Sequence, residues 1–324
     1  MTKRRIRMIS IDMDGTLVGP DGHVSARNMA AVQAAERAGV EVVIATGRRH
    51  SYAMKVLRGL GLNENNGLIT SNGAVVRTVG AKLLERTLLT QSTAEWLCGH
   101  MGEFRRALLV TFDRVQPDGD DTHGALVVEE ASELEGSIGK WMAANDRYIE
   151  KVIPIENALG REGMIQMMLC GTIDRMREAE AQLLKDPKVL GVGMAPLRRS
   201  EVRREGDVTQ VFEAEAVLHR TEYPERDLCI VDILPAGCSK GAAVLELAAL
   251  RGLDAEEVLA IGDNWNDVSM LEAAGNSVLM GNAPEDLKEI AVVRGWAIGS
   301  RHDEDGVAEA IEAALEDELS VSQS

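Results

Sequence analysis

Ile6-Arg7-Met8-Ile9-Ser10-Ile11, followed at once by Asp12-Met13-Asp14-Gly15-Thr16-Leu17, decides the fold. The first half is a short, mostly apolar run and reads as a buried strand. The second half places two carboxylates and a glycine at that strand's carboxyl end. In open α/β sheets ligands bind beyond the carboxyl ends of strands, so chemistry belongs here. Carboxylates two residues apart on extended backbone point the same way, and Gly15 lets the chain turn sharply away. Like charges that close are costly unless one takes a proton or a cation sits between them. Both solutions are useful: a metal-bound carboxylate can be a nucleophile, and its neighbour a general acid and base. An acidic turn after a strand is the plainer alternative.

Working outward, short apolar runs alternate with helical patterns. Ser25 caps an Ala-rich helix that ends at Gly39. Residues 40–45 read as a strand, 51–60 as a helix and 68–70 as a third strand. The same grammar returns late in the chain, with strands at 228–233, 258–261 and 277–280 and helices at 239–251, 267–274, near Pro284 and at 306–316. Strands alternating with helices over short connections predict a doubly wound, Rossmann-like α/β core with a parallel sheet. Between about 86 and 225 the pattern changes to strands at 107–112, 124–129, 149–155, 164–170 and 208–219, with helices near 92–101, 132–144 and 173–185. That predicts an inserted α+β domain. The expected boundaries are therefore 1–85 plus 226–324 for the core and 86–225 for the insertion.

Four further segments carry polar groups at expected strand or helix ends. Thr46 and Gly47 offer a hydroxyl and a free backbone N–H at the start of a helix, which suits an anion and equally suits an ordinary N-cap. Ser71-Asn72-Gly73-Ala74 follows the third strand and reads as a turn. Lys240 opens a helix, against the macrodipole, which makes sense beside an anion; a surface lysine is the alternative. Gly262-Asp263-Asn264-Trp265-Asn266-Asp267 is an oxygen-rich cluster suited to Mg²⁺, or a polar turn capping the next helix. Trp265 can stack on a substrate or wedge into the core. These segments were expected to follow parallel strands and so to converge at one sheet edge.

In that order, DMDGTL (12–17), ATGR (45–48), SNGA (71–74), SKG (239–241) and GDNWND (262–267) resemble the motifs of the haloacid dehalogenase superfamily, specifically its Cof-like phosphatase branch. MGNAPEDLKEIA (280–291) and DEDGVAEAI (303–311) are similar too. The resemblance implies that the insertion is a cap that selects the substrate. It implies a phosphatase acting on a small phosphorylated metabolite such as a sugar phosphate, with Asp12 as the nucleophile and Asp14 as the general acid/base. Thr46, Gly47, Lys240 and Asn266 would bind the phosphoryl group. Mg²⁺ would be held by Asp12, Asp263 and the Asp14 backbone carbonyl, with Asn264 a direct or water-mediated ligand and Asp267 orienting Lys240 or metal-bound water. A phosphomutase using the same aspartyl chemistry, and a non-catalytic phosphate-binding regulator, are the alternatives. A regulator that keeps its phosphoryl group has no use for an acid/base two residues after the nucleophile.

Composition fits this reading. The chain has 324 residues, 35 Lys+Arg, 52 Asp+Glu and a formal net charge of −17. That balance excludes general nucleic-acid binding, which needs a basic footprint, and docking on anionic membranes. Residues 1–85 carry 12 basic and 7 acidic groups, and residues 226–324 carry 6 and 20, so candidate anion handling falls in a basic block and metal handling in an acidic one. Arg198, Arg199, Arg203 and Arg204 form a basic cluster that reads as a clamp for an anionic tail or as a solvated strand. Cys98, Cys170, Cys229 and Cys238 form no CxxC pair, which predicts free thiols in a cytoplasmic protein rather than a zinc site. Asp12 and Asp14 interrupt the basic N-terminus before an apolar region of about 7–15 residues develops, so no signal peptide is expected. No apolar run is long enough to span a membrane. No phosphate-binding loop with the G-x-x-x-x-G-K-[ST] pattern is present.

Overall fold

Strand β1 (Met8–Asp12) is buried along its whole length, in the middle of an eight-stranded sheet. The computed structural model describes residues 5–191, 200–205 and 208–321. It divides into two units, residues 1–85 with 239–324, and residues 86–238.

In the first unit, β1 is flanked on one side by β2 (Glu41–Ala45), β3 (Gly67–Thr70), β4 (Val75–Thr78) and β5 (Leu83–Arg86). On the other side lie Val258–Gly262, Asn276–Leu279 and the edge strand Ala297–Ile298. From that edge to β3 every pairing is parallel. The chain winds from β1 towards β3 and later from β1's other neighbour towards the far edge. The topological switch point thus falls at β1, where such sheets bind ligands.

The apolar runs explain this placement, because helices cover both faces of the sheet. Ile9, Ile11, Val42 and Ile44 pack with Ala31, Val32 and Ala35 of α1 (Ala26–Arg37), Ala53 and Leu57 of α2 (His50–Leu57), and Val307 and Ile311 of the last helix. Met8, Val43, Ala45 and Ala260 face the other way, onto Val244, Leu247, Leu271 and Leu287. Ser25 caps α1 as expected, accepting from the Asn28 backbone N–H at 3.0 Å.

The second unit holds a seven-stranded sheet in the order Val189–Leu190, Ala216–Tyr223, Leu228–Pro235, Met164–Gly171, Leu108–Phe112, Leu126–Val128, Ile149–Lys151. Its four interior pairings are antiparallel. Helices Gln91–His100 and Ile173–Leu183 contribute Leu97, Met176 and Leu183 to one cluster against this sheet, and Ser132–Asn145 contributes Leu134 and Met142 to another. Four polar residues in four neighbouring strands, Thr111, Gln166, Asp232 and His219, are all buried. Thr111 pairs with Gln166 and His219 with Asp232, and the Gln166 amide donates to the Asp232 carboxylate.

Two expectations are corrected. The segment 228–233 is not a core strand but lies in Leu228–Pro235, inside the second unit's sheet, so the core resumes at residue 239 rather than 226. A largely apolar run signals burial on both faces, and a covered antiparallel sheet meets that condition as well as a parallel one. The expected strand 208–219 is two strands, Val208–Glu213 and Ala216–Tyr223, the first paired antiparallel with Ser200–Glu205. After β3 the expected turn at 71–74 takes the chain back into β4, antiparallel to β3. Of the arginine cluster, Arg198 and Arg199 lie outside the described residues, and the backbone of Arg203 and Arg204 lies in Ser200–Glu205.

Candidate active site

Asp12 ends β1, Thr46 follows β2 and Asp263 follows Val258–Gly262, so three adjacent parallel strands present these side chains at one edge. Lys240 arrives differently. It is the first residue of helix Lys240–Leu250, whose N-cap Ser239 accepts from the Ala242 N–H at 3.0 Å.

Lys240 is completely buried, and its Nζ donates to Asp12 Oδ1 at 2.5 Å and to Asp267 Oδ1 at 2.6 Å. Asp267 is held in turn, its Oδ2 accepting from the backbone N–H groups of Asp263 at 2.9 Å and Asn264 at 3.0 Å. Both oxygens of Asp267 are therefore spent on the protein. Asp12 has only Oδ1 engaged, leaving Oδ2 without a hydrogen-bond partner among the described residues. Burial, then the facing Asp267, pushes the Asp12 carboxyl up to about 7, although Lys240 pulls the other way. Burial alone would lower the Lys240 ammonium, but Asp12 and Asp267 raise it above its ordinary value. Asp263 is also pushed well up, by burial first and then by Asp12 and Asp267.

Asp263 is oriented by two groups the sequence reading did not single out. Thr16 Oγ1 donates to its Oδ1 at 3.0 Å and Asn282 Nδ2 to its Oδ2 at 3.1 Å. Asn282 also donates to the Gly15 carbonyl at 2.8 Å, tying the two motif loops together. Gly15 sits at φ +84°, and a Cβ there would lie 2.4 Å from Asp263 Oδ2, so this turn admits glycine alone.

The carboxylates of Asp12, Asp263 and Asp267 are all buried and lie within 4.8 Å of one another. Three buried carboxylates face one ammonium, and the donors are all oxygen. That set fits a hard divalent cation, which would supply the missing positive charge.

The Thr46 loop is clamped by the turn after β3. Asn72 N–H donates to the Thr46 carbonyl and Ser71 N–H to the Arg48 carbonyl, both at 3.0 Å. Asn72 Oδ1 accepts from Asn266 Nδ2 at 3.0 Å, which links Asn266 to this loop. Ser71 and Asn72 both adopt left-handed backbone, at φ +48° and +52°, a conformation non-glycine residues hold only when the surroundings impose it. The buried Ser71 hydroxyl makes no hydrogen bond among the described residues. A side chain on Gly47 would lie 3.2 Å from the Asn72 amide, so the loop stays bare.

The structure thus joins Asp12, Asp263, Asp267 and Lys240 in one network and places Thr46, Gly47 and Asn266 in a second, adjacent through Asn72. Asp14 pairs instead with Arg48. Asn264 turns back to accept from the Trp265 N–H at 2.9 Å as a cap, and half-buried Trp265 packs against the core. His50 opens α2 and is buried. Thr16, Asn72 and Asn282 were the missed positions. All three sit inside quoted motifs, Thr16 in DMDGTL, Asn72 in SNGA and Asn282 in MGNAPEDLKEIA, but none was given a role.

Parallel strands, a switch point at β1 and a buried Asp–Lys network define a doubly wound α/β protein with its polar site at the strand ends. The chain matches the haloacid dehalogenase-like hydrolases over residues 9–190 and 207–311. It is 28% identical to the 5-amino-6-(5-phospho-D-ribitylamino)uracil phosphatase YwtE of Bacillus subtilis, covering 96% of this chain and 98% of that protein. It is 30% identical to the phosphatase YwpJ of the same organism, over 94% of this chain and 98% of that one. A solved haloacid dehalogenase-like hydrolase from B. subtilis superposes with a TM-score of 0.70, at 22% identity over 95% of this chain and 99% of that one. The chain belongs to the haloacid dehalogenase-like hydrolases, in their Cof-like branch, and is a phosphoric monoester hydrolase. No helix among the described residues is long and apolar enough to cross a membrane.

Proposed function

We propose that this phosphatase hydrolyses the phosphomonoester of a small polyhydroxylated metabolite through a phospho-aspartate on Asp12. The observation that carries the reading is the half-engaged Asp12 carboxylate: Oδ1 fixed by buried Lys240, Oδ2 open at the strand end. Attack by Oδ2 forms the bond to phosphorus while the ester P–O bond breaks, and the departing alkoxide takes a proton from Asp14. Water then attacks phosphorus, gives its proton to Asp14 and returns Asp12 as a carboxylate with release of inorganic phosphate. Phosphoryl transfer is mostly positioning and charge neutralisation. Lys240, Thr46, the bare Gly47 backbone and Asn266 would hold phosphoryl oxygens, joined by the buried Ser71 hydroxyl. Asp12, Asp263 and the Asp14 backbone carbonyl would hold Mg²⁺, which neutralises the phosphoryl group's negative charge when bound. Asp267, whose Oδ1 accepts from Lys240, orients that ammonium. The phosphoribityl compound named for the YwtE relative makes polyol and sugar phosphates the first substrates to try.

Turnover of p-nitrophenyl phosphate with Mg²⁺ tests the reading, followed by a panel of polyol and sugar phosphates. Free phosphate should appear, and Asp12→Asn should abolish it. Isomerised sugar phosphate without free phosphate would instead identify a mutase.

A further inference from the structure

Arg48 points away from the Thr46 cradle and onto Asp14. Its Nε donates to Oδ2 at 2.7 Å and its Nη2 to Oδ1 at 2.5 Å. Each carboxylate oxygen thus receives one arm of a two-point fork, a geometry that a guanidinium makes and an ammonium cannot. A carboxylate has about four acceptor directions, so about two remain open. The guanidinium is itself fixed. It lies 4.8 Å from the centroid of the Tyr52 ring on α2, and the Arg48 backbone N–H donates to Thr46 Oγ1 at 3.1 Å. Side-chain exposure is 19% for Arg48 and 34% for Asp14, so this pair is half-buried while Lys240 is sealed.

The terminal torsion of an aspartate side chain is broad, so the chain itself does not fix the carboxylate plane. We propose that Arg48 is a positioning residue, holding the Asp14 carboxylate in the plane from which it takes the proton of the attacking water. The inference rests on the phospho-aspartate reading above. In the step concerned, water oxygen bonds to phosphorus, the bond from phosphorus to Asp12 breaks with its electron pair returning to the carboxylate, and one water proton passes to Asp14.

Rapid mixing with p-nitrophenyl phosphate and Mg²⁺ separates the two halves of the reaction, because p-nitrophenolate departs without needing a proton. The burst reports formation of the phospho-aspartate and the steady state reports its hydrolysis. In Arg48→Lys and Arg48→Ala the ratio of burst rate to steady-state rate should widen about 100-fold, the cost of a misplaced group, with KM unchanged or lower. Asp14→Asn should behave alike, and adding Arg48→Lys to it should cost nothing further. A raised KM with no burst, rescue by lysine, or additive losses would overturn the proposal in favour of simple anion binding. Wild-type protein without turnover would overturn the phosphatase reading itself, a distinct result. Near-ultraviolet circular dichroism checks that each variant is folded.

Discussion

The two units place their polar residues differently. In the core, Asp12, Thr46 and Asp263 stand at or just past the carboxyl ends of strands, and strand interiors are almost wholly apolar. In the inserted unit, Thr111, Gln166, Asp232 and His219 lie within strands. A parallel sheet covered by helices on both faces leaves only its ends for chemistry. An antiparallel sheet is not so constrained and can carry buried polar side chains along its strands. On the function proposed above the reaction belongs to the core's strand ends, while the inserted unit's buried polar side chains are engaged within that unit, Gln166 with Asp232 and His219 with the Cys238 carbonyl.

The largest effect that would break this contrast is expected at Lys240. In Lys240→Met, Asp12 and Asp267 are left facing each other without a cation. Activity should fall at least about 100-fold, and stability by about 3–5 kcal/mol, the cost of orphaning a buried charge. Enzyme assays and denaturant melts would measure both; a near-normal rate would show that Lys240 only fills space.

A smaller effect follows from the carboxylate cluster. The Asp12 carboxyl is raised from 3.8 to about 7, so its protonated form is favoured in the folded, metal-free protein. That stabilising contribution is complete below the ordinary value and is lost as pH rises through about 7. Mg²⁺ would replace the lost protons. The gap in Tm between Mg²⁺ and EDTA should therefore widen as pH climbs through about 7, and a gap that narrows would contradict the assignment of the cluster as a metal site.

The smallest effect on catalysis is expected in the inserted unit. Asp232→Ala removes the acceptor of the buried Gln166 amide and should cost about 1–3 kcal/mol. Turnover of p-nitrophenyl phosphate should stay unchanged. A collapse of that rate would mean the reaction is not confined to the core's strand ends.

Much of the core was legible because its signals are local. A strand ending in Asp-x-Asp-Gly, or in Gly-Asp-Asn, joins apolar period to polar punctuation within a few residues. What escaped was non-local. Residues 228–233 carry no sign of which sheet will take them, since Cys229, Val231 and Ile233 would suit either. The Arg48–Asp14 fork joins groups 34 residues apart, and Asn282 reaches Asp263 from 19 residues away. The left-handed Ser71 and Asn72 were hidden because only Gly73 announces such a turn. The polar strand residues of the inserted unit were hidden because a lone Gln or Asp in an apolar run does not reveal its partner.

The most direct test of the account is to quench wild-type enzyme in acid during turnover and reduce any acyl phosphate with borohydride. Peptide mapping then locates the modified side chain. Modification at Asp12, dependent on substrate and absent in Asp12→Asn, is the predicted result. Sustained phosphate release with the label at another residue would contradict the central claim.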